Sequence, residues 1–140
     1  MPPQAPAPKA ILETALYADD LDAAEEFYGR ILGLERIQRV GDRHVFFRCG
    51  NSVLLIFNAQ ETIKPPGNPR LPVPPHGSSG PGHICFAQPR ADLLLMRGRL
   101  VASGVAIEAE FDWPSGARSL YFRDPAGNSI EIAEPQLWAY

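Results

Sequence analysis

The chain has 140 residues, 45% of them hydrophobic, with 13 Lys and Arg against 16 Asp and Glu for a net charge of -3. That length predicts one domain over residues 1–140 with a core large enough to fold alone. The slight acidity and the lack of any basic run exclude nucleic acid as the main partner, and no apolar stretch approaches the roughly 20 residues of a membrane span.

Residues 1–8, MPPQAPAP, are rich in Pro and Ala and read as a loose arm without the apolar core of a secretion signal. Residues 11–18 alternate in character and predict a strand with Glu13, Ala15 and Tyr17 on one face and Leu12, Thr14 and Leu16 on the other. Asp19-Asp20 offers a helix N-cap. Leu21, Ala24, Phe27, Tyr28 and Ile31 then fall at helical spacing, and Gly33 supplies the stop. Three strands follow at about 34–40, 43–49 and 52–58, with turns at Gly41-Asp42 and Gly50-Asn51.

Residues 59–82 are dense in Pro and Gly, and a stretch of this length without regular structure reads as a lid, a binding loop or a linker. Beyond it the pattern returns. Residues 82–88 read as a strand, Pro89 suits a first helical turn, and Leu93, Met96, Leu100 and Val101 form an apolar stripe that Gly104 ends. Strands follow at about 105–112, 117–123 and 128–134. The chain is therefore β-α-β-β-β twice, an α+β arrangement of two modules, about 10–58 and 82–134. Twenty residues separate Glu13 from Gly33 and twenty-one separate His83 from Gly104. Matching Asn51-Ser52-Val53-Leu54 to Asn128-Ser129-Ile130-Glu131 pairs Leu54 with Glu131, as the repeat pairs Glu13 with His83.

The segment 118–134, RSLYFRDPAGNSIEIAE, is strand, tight turn, strand. Glu131 stands between Ile130 and Ile132. With the Ile face packed on a helix, Glu131 points to the other face, where a carboxylate needs a cation or donors opposite it. Cys49 and Cys85 lie in apolar, strand-like surroundings with no CxxC motif, and read as reduced, buried thiols of a cytoplasmic protein.

Three stretches, LYADDLDAAEEFYGRILGL at 16–34, GPGHICFA at 80–87 and YFRDPAGNSIEI at 121–132, carry a resemblance over about residues 10–134. In this order they resemble the vicinal oxygen chelate superfamily, which includes glyoxalase I, extradiol dioxygenases and bleomycin-binding proteins. The resemblance implies two curled mixed sheets around a concave metal and substrate site. It puts metal ligands at Glu13, His83 and Glu131, holding one divalent ion (Fe, Mn, Zn or Ni), with Leu54 where glyoxalase I has a fourth ligand. A one-His, two-carboxylate set suits an ion that accepts oxygen ligands, and leaves it a weaker Lewis acid than a two-His set does.

The resemblance also implies an active-site role for Tyr121, ten residues before Glu131. Arg118 falls on the opposite face of that strand and reads as a surface or dimer residue. His76, in the connector, is an acid/base candidate, because imidazoles titrate in the range useful for proton transfer. His44 is a weaker candidate. Phe46, Phe57, Phe86, Phe111 and Trp113 are available for an apolar substrate wall. The function so implied is a metal-dependent enzyme, a ring-cleaving dioxygenase or a glyoxalase-like lyase or isomerase. It would act on a small organic substrate with two neighbouring oxygens. The alternative is a metal-free protein that sequesters an aromatic or antibiotic ligand. The long connector allows the site to close within one chain or between two, and a homodimer is expected.

Overall fold

The computed structural model describes residues 2–138; Met1, the first residue of the predicted arm, lies outside them. Strands β1 (Glu13–Tyr17), β2 (Glu35–Val40), β3 (His44–Cys49) and β4 (Ser52–Phe57) form one sheet in the order β1-β4-β3-β2. Strands β5 (His83–Ala87), β6 (Ala109–Asp112), β7 (Arg118–Arg123) and β8 (Ser129–Ala133) form the other in the order β5-β8-β7-β6. In each sheet the first strand runs parallel to the last and the remaining neighbours are antiparallel. The sequence repeat is thus a repeat of topology.

Asp20 caps the first helix as its chemistry predicts, its Oδ1 accepting from Ala23 N at 3.0 Å. Helix α1 (Leu21–Glu25) continues into a π-helical stretch (Glu26–Ile31), where Leu32 N reaches back five residues to Phe27 O. The wider turn lets Phe27, Tyr28 and Ile31 all enter the core. In the second module α3 (Arg90–Ala102) buries Leu93 and Leu100. The connector is not featureless: Asn58 Oδ1 accepts from Gln60 N and caps a short helix, α2 (Ala59–Thr62). Strand β6 starts later than expected. Val105 N instead bonds Leu100 O at the helix end, and Val105 and Ile107 pack on the core from irregular chain.

The helices and one face of each sheet share a single core. Leu16, Phe47, Leu54 and Ile56 of the first sheet meet Leu120, Phe122, Ile130 and Ile132 of the second through Phe27, Tyr28, Leu93 and Leu100. Each such side chain fully buried is worth roughly 1.5–3 kcal/mol. Because side chains alternate along a strand, committing these residues inward turns Glu13, Ala15, Tyr17, Leu55 and Phe57 outward on the first sheet, and His83, Cys85, Tyr121 and Glu131 outward on the second.

This register corrects one sequence expectation. Glu13 pairs with Val53 and Ala15 with Leu55, while His83 pairs with Ser129 and Cys85 with Glu131. Leu55 is therefore the counterpart of Glu131, and Leu54 is a core residue at 1% exposure. The two hairpins differ in length: Cys49 pairs with Ser52 across two residues, but Arg123 pairs with Ser129 across five. Aligning Asn51 with Asn128 therefore slipped the strands by one position. Cys85 is a second correction, since it is exposed on the outward face; Cys49 is half-buried.

The turn at residues 124–128 locks the modules together. Asp124 Oδ1 accepts from Ala126 N and Asn128 N, and Gly127 takes the left-handed φ of 90° that closes the turn. Asp124 Oδ2 accepts from Asn128 Nδ2 at 2.9 Å and from the Tyr28 hydroxyl at 2.7 Å. Asn128 Nδ2 also donates to Tyr17 O, and its Oδ1 accepts from Gly82 N. A Cβ on Gly82 would stand 3.1 Å from Leu16 Cδ2, so this close approach favours glycine. Burial, then the Asp124 charge, pushes the Tyr28 phenol far up, so it stays a donor.

Candidate functional site

Glu131 occupies the middle of the second sheet's outward face, flanked in register by Cys85 on β5 and Tyr121 on β7. It is 6% exposed, and the expected donors are present. Ser119, two residues before Tyr121 and on the same face, donates its hydroxyl to Glu131 Oε2 at 2.5 Å. Trp113 Nε1 donates to Ser119 Oγ at 2.7 Å, fixing the direction of that hydroxyl. The other carboxylate oxygen, Oε1, lies 3.3 Å from His83 Nε2. The opposite ring nitrogen, Nδ1, is 3.0 Å from Ser129 O, which can only accept, so the Nδ1 proton is held there. The opposite nitrogen, Nε2, faces a carboxylate oxygen, and a cation or a proton can bridge the two.

Tyr121 stands beside this pair on the same face. Phe111 stacks on it at 5.7 Å and 15°, and His83 lies near-parallel at 6.4 Å and 20°. Burial first, then the bond and charge of Glu131, pushes the Tyr121 phenol up to about 12, so it remains protonated. Although Cys85 is exposed as a residue, partial desolvation of its sulfur and then Glu131 push the thiol up to about 12.

The outward face of the first sheet is different in kind. Tyr17 Oη and His76 Nδ1 are 2.7 Å apart, and the His76 ring stands edge-on to Phe57 at 4.6 Å. His76 is fixed in place: its N–H donates to Thr62 O at 3.0 Å and its carbonyl accepts from Thr62 Oγ1 at 2.5 Å. His44 is buried and stacked on Phe46 at 4.0 Å. Arg43 Nη1 donates to its Nδ1 at 2.7 Å, so its Nε2 proton goes to Gln38 Oε1 at 2.8 Å. Burial, then the Arg43 charge, lowers His44 to about 4, leaving it neutral.

The predicted residues thus divide. His83, Glu131 and Tyr121 come together, with Phe111 and Trp113 beside them. His76 joins Tyr17, Phe57 and Phe46 on the other sheet. Glu13 is exposed at the start of β1, four residues and about 13 Å of strand from Tyr17. Phe86 packs against the core, and Arg118 pairs with Asp112 and Glu110. Ser119 was legible as a same-face neighbour of Tyr121. The Trp113 indole and the Tyr17 partner of His76 carried no local signal.

An imidazole nitrogen beside a carboxylate suits a divalent ion with mixed nitrogen and oxygen ligands. One chain supplies this pair and no more: among the described residues no three His, Cys, Asp or Glu side chains gather as a metal-holding group. Also among them, no helix is long and apolar enough to cross a membrane.

Known proteins share this architecture. A solved structure of lactoylglutathione lyase from Agrobacterium tumefaciens is 44% identical, covers 96% of this chain and 99% of its own, and superposes with a TM-score of 0.87. A glyoxalase/bleomycin resistance protein/dioxygenase from Nocardioides matches at 24% identity and TM-score 0.68, covering 93% of this chain and 85% of its own. TioX from Micromonospora sp. ML1 matches at 21% identity and TM-score 0.68, covering 90% of this chain and 98% of its own. These last two share the fold alone. The family model for the Glyoxalase/Bleomycin resistance protein/Dioxygenase superfamily matches residues 10–132, and the chain belongs to that superfamily.

Proposed function

We propose that the protein is a metal-dependent lyase or isomerase of the glyoxalase type, acting on a small organic substrate that presents two neighbouring oxygens. The observation that carries this reading is the His83–Glu131 pair, in which Ser129 O holds one imidazole nitrogen and leaves the other facing Glu131 Oε1. The activity named for the Agrobacterium tumefaciens protein favours this reaction class over ring cleavage.

His83 and Glu131 would hold the ion, and Glu13 of a second copy would supply the third donor in a homodimer, because the Glu13 of the same chain stands on the other sheet. Once bound, the ion supplies Lewis-acid polarisation of the substrate's oxygens. The chain's own side chains do the rest. Ser119 would keep Glu131 Oε2 occupied and so direct Oε1 toward the ion, leaving proton transfer to other groups. Tyr121, held protonated, donates to a substrate oxygen, and Phe111 fixes its ring. His76 serves as an acid/base group on the module that the second copy contributes, positioned by Tyr17.

Elemental analysis after incubation with Fe(II), Mn(II), Zn(II) and Ni(II) tests the reading. Wild type takes up one equivalent per site, and Glu13→Ala, His83→Ala and Glu131→Ala each lose it. Variants that all keep a full equivalent place the ion elsewhere. A wild type that takes up no metal but still binds an aromatic ligand makes this a sequestering protein. Light scattering that shows a monomer at about 50 µM removes the second copy from the site.

A further inference from the structure

Residues 62–76 form a closed loop whose ends are clasped by the two Thr62–His76 hydrogen bonds. Between this loop and the β2–β3 turn lies a cleft of about 490 Å³. Its walls include Pro66, Leu71, Val73 and Pro74, and Leu71 and Val73 are 65% and 53% exposed there. Lys64 and Glu61 stand at the cleft and pair with each other.

Arg43 also lines it, half-buried, with its guanidinium 5.5 Å above the Phe57 ring. The other half-buried arginines, Arg39, Arg97 and Arg118, each pair with a carboxylate. Among the described residues Arg43 has no such partner, and one of its five N–H donors goes to the neutral His44. A guanidinium held against an aromatic ring, with most of its donors free and its charge uncompensated, matches a carboxylate in shape and charge. The Pro, Leu and Val walls match a hydrocarbon body.

We propose that this cleft is a ligand site separate from the Glu131 face, taking a small organic monocarboxylate anchored by Arg43. The proposal rests on the connector, on Arg43 of the β2–β3 turn and on Phe57 of β4, and stands whether or not a metal binds at His83 and Glu131.

Amide NMR titration of the full chain with phenylacetate and with phenylacetamide tests it. Saturable shifts are expected at Arg43, Lys64, Leu71 and Val73, with phenylacetamide binding at least about tenfold more weakly, since it lacks the charge. Arg43→Gln should weaken phenylacetate by about ten- to a hundredfold. Should that variant fail to fold, Val73→Glu decides instead: it sets a carboxylate in the cleft without touching the Arg43 packing, and should abolish the shifts. Equal binding of acid and amide overturns the site, as does the absence of saturation by about 50 mM. Shifts centred on His83, Tyr121 and Glu131 also overturn it and assign the carboxylate to the other face.

Discussion

The two modules have the same topology and nearly the same core, yet their outward faces differ. At one register position the first module has Leu55 and the second has Glu131. Around Leu55 lie Tyr17, Phe46, Phe57 and a neutral His44; around Glu131 lie Ser119, Trp113, Tyr121 and His83. The β3–β4 turn of the first module is the short Gly50-Asn51, exposed to solvent, whereas the β7–β8 turn of the second is anchored at its two ends by the buried side chains of Asp124 and Asn128. A duplicated scaffold here separates two tasks: one face concentrates charge and donors, and the other offers aromatic surface.

The largest expected effect comes from breaking the turn asymmetry. Asp124→Ala removes the acceptor of four hydrogen bonds, from the Tyr28 hydroxyl, Asn128 Nδ2 and the N–H groups of Ala126 and Asn128, and should cost about 3–5 kcal/mol in urea unfolding. Asn51→Ala, in the equivalent turn, should stay within about 0.5 kcal/mol. Similar losses for the two would mean that the modules are locked by something other than this node.

Exchanging the two register-equivalent residues comes second. Glu131→Leu makes the second face resemble the first and should weaken divalent metal binding by about a hundredfold or more in calorimetry. Leu55→Glu adds a carboxylate to the first face. If the two faces meet across a pair of chains, a folded Leu55→Glu protein should bind metal about tenfold more tightly. An unchanged affinity would show that the faces do not meet.

The smallest effect sharpens the contrast in electrostatics. His44 is lowered from 6.5 to about 4 in the folded state, so the unfolded chain binds the extra proton first as pH falls. Stability from this group is intact above pH 6.5 and is lost progressively towards about pH 4. His44→Phe keeps the stack on Phe46 and should flatten that part of the pH profile in urea titrations. A profile with the same slope in both proteins would assign the acid sensitivity to other groups.

Much of this was legible in the residues. Gly33, Gly41, Gly50, Gly104 and Gly127 all take positive φ where turns and helix ends were read. The alternation Ile130-Glu131-Ile132 correctly put the two Ile in the core and Glu131 on the opposite face, because the period of two is local. Register is not local, so the local match pairs Leu54 with Glu131 where the ladder pairs Leu55. Long-range partners were also out of reach. Nothing near His76 announced Tyr17, and the cluster of His44, Arg43 and Gln38 depends on a hairpin bringing β2 beside β3. Tyr28 looked like one more apolar stripe residue until its hydroxyl met Asp124 ninety-six positions away.

The Thr62–His76 clasp has a consequence for chain length. Because both ends of the 62–76 loop are tied at its neck, the position of His76 does not depend on how many residues lie between. Loop-closure entropy grows only with the logarithm of length, about 0.6 kcal/mol per doubling. The loop is therefore where this scaffold can accept an inserted peptide, in nature or by grafting, while both sheets and the lock between them stay as they are.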